Sequence, residues 1–133
     1  MKKINITITG ALGRMGKILV KKISTNKNLK LFSLTDLKSG KIINGIKTQK
    51  NNLEAFKKTD VIIDFSKPKA SLEVLSYAKK FKKKVVIGTT GFTEQDNNLI
   101  KNYAKKIAIF NQTQKNTNEK KHLKLWVILM KVT

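Results

Sequence analysis

The residues best suited to chemistry gather near the amino end. Gly10, Gly13 and Gly16 form the only glycine cluster, Gly10-Ala11-Leu12-Gly13-Arg14-Met15-Gly16, and the only arginine, Arg14, lies inside it. An alternating apolar stretch, Ile4-Asn5-Ile6-Thr7-Ile8-Thr9, leads into the cluster, and an amphipathic stretch leads out. Strand, glycine-rich turn and helix, in that order, suit the linked phosphates of a dinucleotide. Glycines let the backbone approach the oxygens, and the first helical N–H groups and positive helix end face the charge. Arg14 adds a planar fork of donors that no lysine offers. The spacing is G-x-x-G-x-x-G, with Leu12 where the commoner G-x-G-x-x-G form has its second glycine. A turn that needs glycine only to pack helix on strand is the competing reading.

Three further groups stand at points where such a ligand would extend. Asp36 comes twenty positions after Gly16, at the end of a second apolar stretch. A carboxylate there accepts hydrogen bonds from ribose hydroxyls and repels a 2′-phosphate, and Lys38 offsets part of that repulsion. Asp64-Phe65-Ser66-Lys67-Pro68 and Gly88-Thr89-Thr90-Gly91-Phe92 follow two continuously apolar runs. Gly88 would admit a flat ring, and the Thr89 and Thr90 hydroxyls and amides would hold a nicotinamide carboxamide. Ser66 and Thr93 also read as caps of the helices that follow them. His122 is the only histidine, among lysines, and reads as an exposed bystander. No metal-binding constellation and no Ser/His/Asp grouping is present.

These groups need elements to carry them, and periodicity supplies a regular alternation. Residues 3–9 read as a first strand, and residues 14–25 as a helix with Met15, Ile18, Leu19 and Ile23 on one face. Residues 29–36 form a second strand, residues 37–52 a loop rich in Gly, Lys and Asn, and residues 53–58 a short helix. The run 60–65 (DVIIDF) has the continuous apolar character of a strand buried on both sides. Pro68 suits the first turn of a helix over 69–81 that turns Leu72, Leu75, Tyr77 and Ala78 inward. Residues 84–88 are another buried strand, Thr93 opens a helix to about residue 105, and 106–110 closes the series. The alternation predicts right-handed crossovers and a Rossmann-like, doubly wound parallel α/β sheet in a single domain.

Size and composition bound the alternatives. The chain has 133 residues, 40% of them hydrophobic, which suffices for one core but not for a second large domain. Without cysteine there are no disulfides or thiolate metal sites. The longest apolar run, Leu125 to Met130, is too short to span a bilayer, so no membrane partner and a cytoplasmic location are expected. The formal charge is +21, from 29 basic and 8 acidic residues. Its lysines are spread along the whole chain, and Lys, Asn and Ile share A/T-rich codons. Base readout favours arginine, which is nearly absent. Coding bias therefore explains the charge, and no nucleic-acid partner is expected.

GALGRMG after the first strand, Asp36 after the second, DFSKP and VVIGTTGF together resemble the 4-hydroxy-tetrahydrodipicolinate reductase (dihydrodipicolinate reductase) family, over about residues 3–110. The resemblance implies NAD(P)H-dependent reduction of 4-hydroxy-tetrahydrodipicolinate to tetrahydrodipicolinate, on the diaminopimelate route to lysine. Its substrate would be a small cyclic dicarboxylate, and family members are homo-oligomers. It implies that Gly10, Ala11, Leu12, Gly13, Arg14 and Met15 cradle the pyrophosphate, and that Asp36 contacts the adenosine ribose. Gly88, Thr89 and Thr90 would border the nicotinamide, and Phe65 counts among the cofactor-binding residues. Where many members carry a basic residue after the ribose-binding acid, this chain has Leu37 and then Lys38.

The sequence departs from the family after residue 110. The N-x-S-x-G-V-N segment, the His-His…Lys pair and the S-G-T anion site have no counterpart, so no catalytic residue is assigned. Residues 1–110 are expected to form the dinucleotide-binding domain, and 111–133 a divergent tail from truncation or a frameshift. An extended short-chain dehydrogenase or epimerase is an alternative, but it needs a Tyr-x-x-x-Lys pair. Tyr77 is followed four positions later by Phe81, and Tyr103 by Ile107. A non-catalytic nucleotide-binding or nucleic-acid-binding fragment is the third reading.

Overall fold

A computed structural model of the chain describes residues 3–111. The tail beyond Asn111, including His122 and the apolar run from Leu125, lies outside the described residues. The elements run β1 (Ile4–Thr9), α1 (Arg14–Ser24), β2 (Leu29–Thr35), β3 (Ile42–Ile43), β4 (Ile46–Lys47), α2 (Leu53–Lys57), β5 (Val61–Asp64), α3 (Pro68–Phe81), β6 (Lys84–Ile87), α4 (Glu94–Ala104) and β7 (Ile109–Asn111).

Five strands pair in the order β2-β1-β5-β6-β7, all parallel. The run Val61–Asp64 is wholly buried, as its unbroken apolar character requires of a strand covered on both faces. On one face, Ile6, Ile8 and Ile63 pack with Leu19, Val20 and Ile23 of α1. On the other, Ile62, Val85 and Ile87 pack with Val74, Leu75 and Ala78 of α3 and Ile100 of α4. The chain crosses from β1 to β2 on one side, then returns to place β5 on the other side of β1. That reversal opens a crevice at the carboxyl ends of β1 and β5, the position where open α/β sheets bind ligands.

Two local expectations, on α1 and on the stretch 37–52, are corrected. The face of α1 that packs is Gly16, Leu19, Val20 and Ile23, while Ile18 is exposed and Met15 only half-buried. Gly16 sets this rotation, because it must press on Ala11 and the Gly10 carbonyl. In α3 Leu72, Leu75, Tyr77 and Ala78 pack inward as expected, Leu72 and Tyr77 partly buried, and Ser71 and Val74 join them as fully buried residues. The stretch 37–52 is not irregular throughout: Ile42–Ile43 and Ile46–Lys47 form an antiparallel hairpin. Asn44 and Gly45 turn it with φ of 51° and 78°, the geometry that an Asn-Gly pair favours between strands. After the hairpin the chain returns beside β2. Gln49 bridges Thr35, and its carbonyl accepts the Asp36 N–H at 2.9 Å.

Candidate functional site

Gly10 turns the chain out of β1 with a φ of +68°, a conformation that side chains with a Cβ rarely adopt. A Cβ there would overlap the Phe65 carbonyl, and one on Gly16 would overlap the Gly10 carbonyl. The turn is therefore pressed between β5's end and the first turn of α1. Its own amides are largely committed: Ala11 N–H donates to the Thr35 carbonyl at 3.1 Å, and Gly13 N–H to Gly10 at 3.0 Å. Leu12 N–H donates to the Asp36 carboxylate at 3.0 Å. The amides left without a helical acceptor are those of Arg14, Met15 and Gly16, the first turn of α1 behind Gly13 at the N-cap. An anion has its donors there, with the positive helix end behind them.

Asp36 thus does two jobs. Its other oxygen accepts the Lys38 N–H at 3.2 Å, closing a turn, while the half-buried carboxylate keeps an edge on the crevice. The crevice is a cleft of about 670 Å³, walled by Gly10, Gly13, Asp36, Leu37, Phe65 and Ala70, among others. Lys50, Lys67 and Lys69 also line it, against the acidic Asp36 and Glu73. Its size and mixed apolar and cationic lining suit a nucleoside carrying phosphate. Lys50 and Asn51 have no sequence signal; the hairpin and the Gln49 bridge bring them beside β2. Thr35 also lines the cleft, and its buried hydroxyl has no hydrogen-bond partner among the described residues.

The 88–90 segment lies at the end of β6 but does not line this cleft. Gly88 does admit a ring, yet that ring is Phe65's own, whose edge occupies the space of a missing Cβ. Thr90 is exposed. The Thr89 hydroxyl is not turned to a ligand: it is buried, accepting the Ser66 N–H at 2.9 Å and facing Asp64 at 3.0 Å. Ser66 does not cap α3 either. The N-cap is Lys67, and the Ser66 hydroxyl donates to Asp64 at 2.5 Å. Thr93, by contrast, caps α4 as its sequence suggests, in a reciprocal box with Asp96. Among the described residues no group of His, Cys, Asp and Glu is placed to hold a metal ion.

The family model for dihydrodipicolinate reductase, N-terminus, matches residues 4–114, which takes in every element of the fold. The chain belongs to the dihydrodipicolinate reductase family. It is 54% identical over 110 residues to 4-hydroxy-tetrahydrodipicolinate reductase of Pelagibacter ubique, covering 82% of this chain and 43% of that protein. A Buchnera aphidicola enzyme of the same name is 40% identical over 126 residues, covering 81% and 45%. The chain thus spans less than half the length of these relatives. A dipicolinate-bound dihydrodipicolinate reductase from Paenisporosarcina superposes with a TM-score of 0.63 at 26% identity, over 77% of this chain and 43% of that one. Homoserine dehydrogenase of S. aureus reaches 0.70 at 19% identity, over 86% and 33%, a likeness of fold alone. Gly10, Gly13 and Asp36 line the cleft together, while Ala11, Leu12, Arg14 and Met15 are not among its lining residues. No helix among the described residues is long and apolar enough to cross a membrane.

Proposed function

We propose that this chain binds NAD(P)H as the coenzyme-holding part of a 4-hydroxy-tetrahydrodipicolinate reductase, with residues 1–110 as the dinucleotide-binding domain. One observation carries the reading: Asp36 accepts the Leu12 N–H, so that the ribose-facing acid and the glycine turn form one cradle at the topological switch point. Gly10 and Gly16 let the end of β5, the turn and the first turn of α1 close on one another, since a Cβ on either would overlap backbone, and this close packing sets where the turn presents itself to a pyrophosphate. The amides of Arg14, Met15 and Gly16 take the phosphate charge, and the Arg14 guanidinium, at the exposed start of α1, reaches a phosphate oxygen. The free edge of Asp36 accepts ribose hydroxyls, while Leu37 and Ala70 offer apolar contact to the adenine. The family resemblance directs the nicotinamide end toward the 88–90 segment, at the end of β6 beyond the residues that line the cleft.

When bound, the reduced coenzyme supplies a hydride. In the family's reaction the substrate is a cyclic dicarboxylate that loses water, and its C=N-type ring then takes up the hydride and a proton to give tetrahydrodipicolinate. The contribution of these residues is binding and orientation, with the chemistry resident in the coenzyme. Calorimetric titration of the full chain with NADH, NADPH and a DNA duplex at two salt concentrations tests the reading. Saturable coenzyme binding with weak duplex binding is expected. Salt-steep duplex binding with no coenzyme signal would replace it with a nucleic-acid-binding fragment.

A further inference from the structure

Asp64 ends β5 directly beneath the cleft, fully buried. Its Oδ1 accepts hydrogen bonds from Thr9 and, at 2.5 Å, from Ser66; its Oδ2 accepts from Ser71 and, at 3.0 Å, from Thr89. Among the described residues no lysine or arginine bonds to it. Four hydroxyls therefore do what a cation usually does for a buried carboxylate. Thr89 Oγ1 accepts the Ser66 N–H at 2.9 Å and lies 2.8 Å from the Ser71 hydroxyl, so the knot ties its hydroxyls to the backbone and to one another as well as to Asp64.

The four hydroxyls come from four segments, and each adjoins a part of the candidate site. Thr9 precedes Gly10, Ser66 follows Phe65, Ser71 lies in the first turns of α3, and Thr89 follows Gly88. Short side chains bonded to one carboxylate leave their backbones little freedom to shift. Beneath this layer the sheet is already held by apolar packing, so the polar knot fixes the strand ends rather than the core. We propose that Asp64 is the positioning residue of the coenzyme site, holding the glycine turn, the 65–67 segment and the 88–90 segment at the spacing a dinucleotide spans. This role rests on the coenzyme reading above.

The test is calorimetric titration of the full chain with NADH and NADPH, alongside thermal melts, for Asp64→Asn, Ser71→Ala and Thr89→Val. An asparagine keeps the shape but presents a donor to donating hydroxyls. Folded Asp64→Asn is expected to bind both coenzymes about tenfold more weakly, and in equal proportion, because the frame and not the ribose contact is disturbed. Thr93→Ala, whose bonds are with Asp96 and not with Asp64, serves as the control that loses stability without losing affinity. Unchanged affinity in folded Asp64→Asn would overturn the role while leaving the coenzyme reading intact. An unsubstituted chain that binds neither coenzyme overturns that reading, and this role with it. If Asp64→Asn does not fold, the single-hydroxyl variants decide: a loss of about threefold in each supports the role, and unsubstituted affinity in both overturns it.

Discussion

Gly10 is held between two demands that only glycine meets. Its φ is positive, and the place of its absent Cβ is filled by the Phe65 carbonyl. Gly10→Ala should therefore combine backbone strain with overpacking and cost about 2–4 kcal/mol. Thermal denaturation should show a fall in Tm of roughly 10 °C or more; a shift of a degree or two would mean that the turn can relax. Asp36 carries a different prediction, about selectivity. Its free edge favours ribose hydroxyls and repels a 2′-phosphate, so Asp36→Ala should shift the ratio of affinities from NADH toward NADPH. Competition titration reads this directly, and an unchanged ratio would remove Asp36 from the ribose contact. Both residues were legible from the sequence because their types are rare in the surrounding pattern. Asp64 was half legible: a polar residue closing an apolar strand is visible, but its four hydroxyl partners span residues 9 to 89.

At the scale of elements, local rules and packing divide the work. Thr93 and Asp96 cap α4 reciprocally, a bond pattern written in four consecutive residues. Thr93→Ala should lower stability by about 1 kcal/mol, read from the urea midpoint, and leave coenzyme affinity unchanged. A change in affinity would give Thr93 a site role that its bonds do not suggest. Asn52 caps α2 by a single bond, its side-chain oxygen accepting the Ala55 N–H at 3.1 Å. The hairpin of β3 and β4 also had a local signature in Asn44-Gly45, hidden in a stretch whose lysines and glycines read as loop. Helix faces were less legible. The apolar stripe of α1 places Ile18 inward by periodicity, but the close approach of Gly16 to Ala11 rotates the helix and leaves Ile18 37% exposed.

For the molecule as a whole, charge is the dominant long-range property. A net charge of +21 on 133 residues raises self-repulsion in the folded state and attracts anions from a distance. Screening should relieve the first effect and weaken the second. Between about 0.02 and 0.3 M sodium chloride, where the Debye length shrinks severalfold, Tm should rise while the association rate of NADH falls. Stopped-flow fluorescence and melting curves on the same samples check both signs. A Tm that falls with salt would show that attractive pairs outweigh the repulsion. Three lysines in the cleft, Lys50, Lys67 and Lys69, make the local field positive as well, so the rate effect does not depend on the tail.

The alternation of the main strands and helices, the glycine turn, the place of Asp36 after β2 and the Thr93 cap were legible in the sequence, because each depends on neighbours within a few residues or on a period of two or 3.6. The same motifs sufficed to point to the family. Tertiary structure decided which faces are buried, which amides of the turn are free, and where Thr89, Ser66 and Asp64 direct their bonds. Those outcomes follow from parallel pairing, which brings residues 9, 35, 64 and 87 into adjacent register at one edge of the sheet. Hydrogen-bond partners so far apart along the chain leave no local pattern, and only the assembled sheet fixes them.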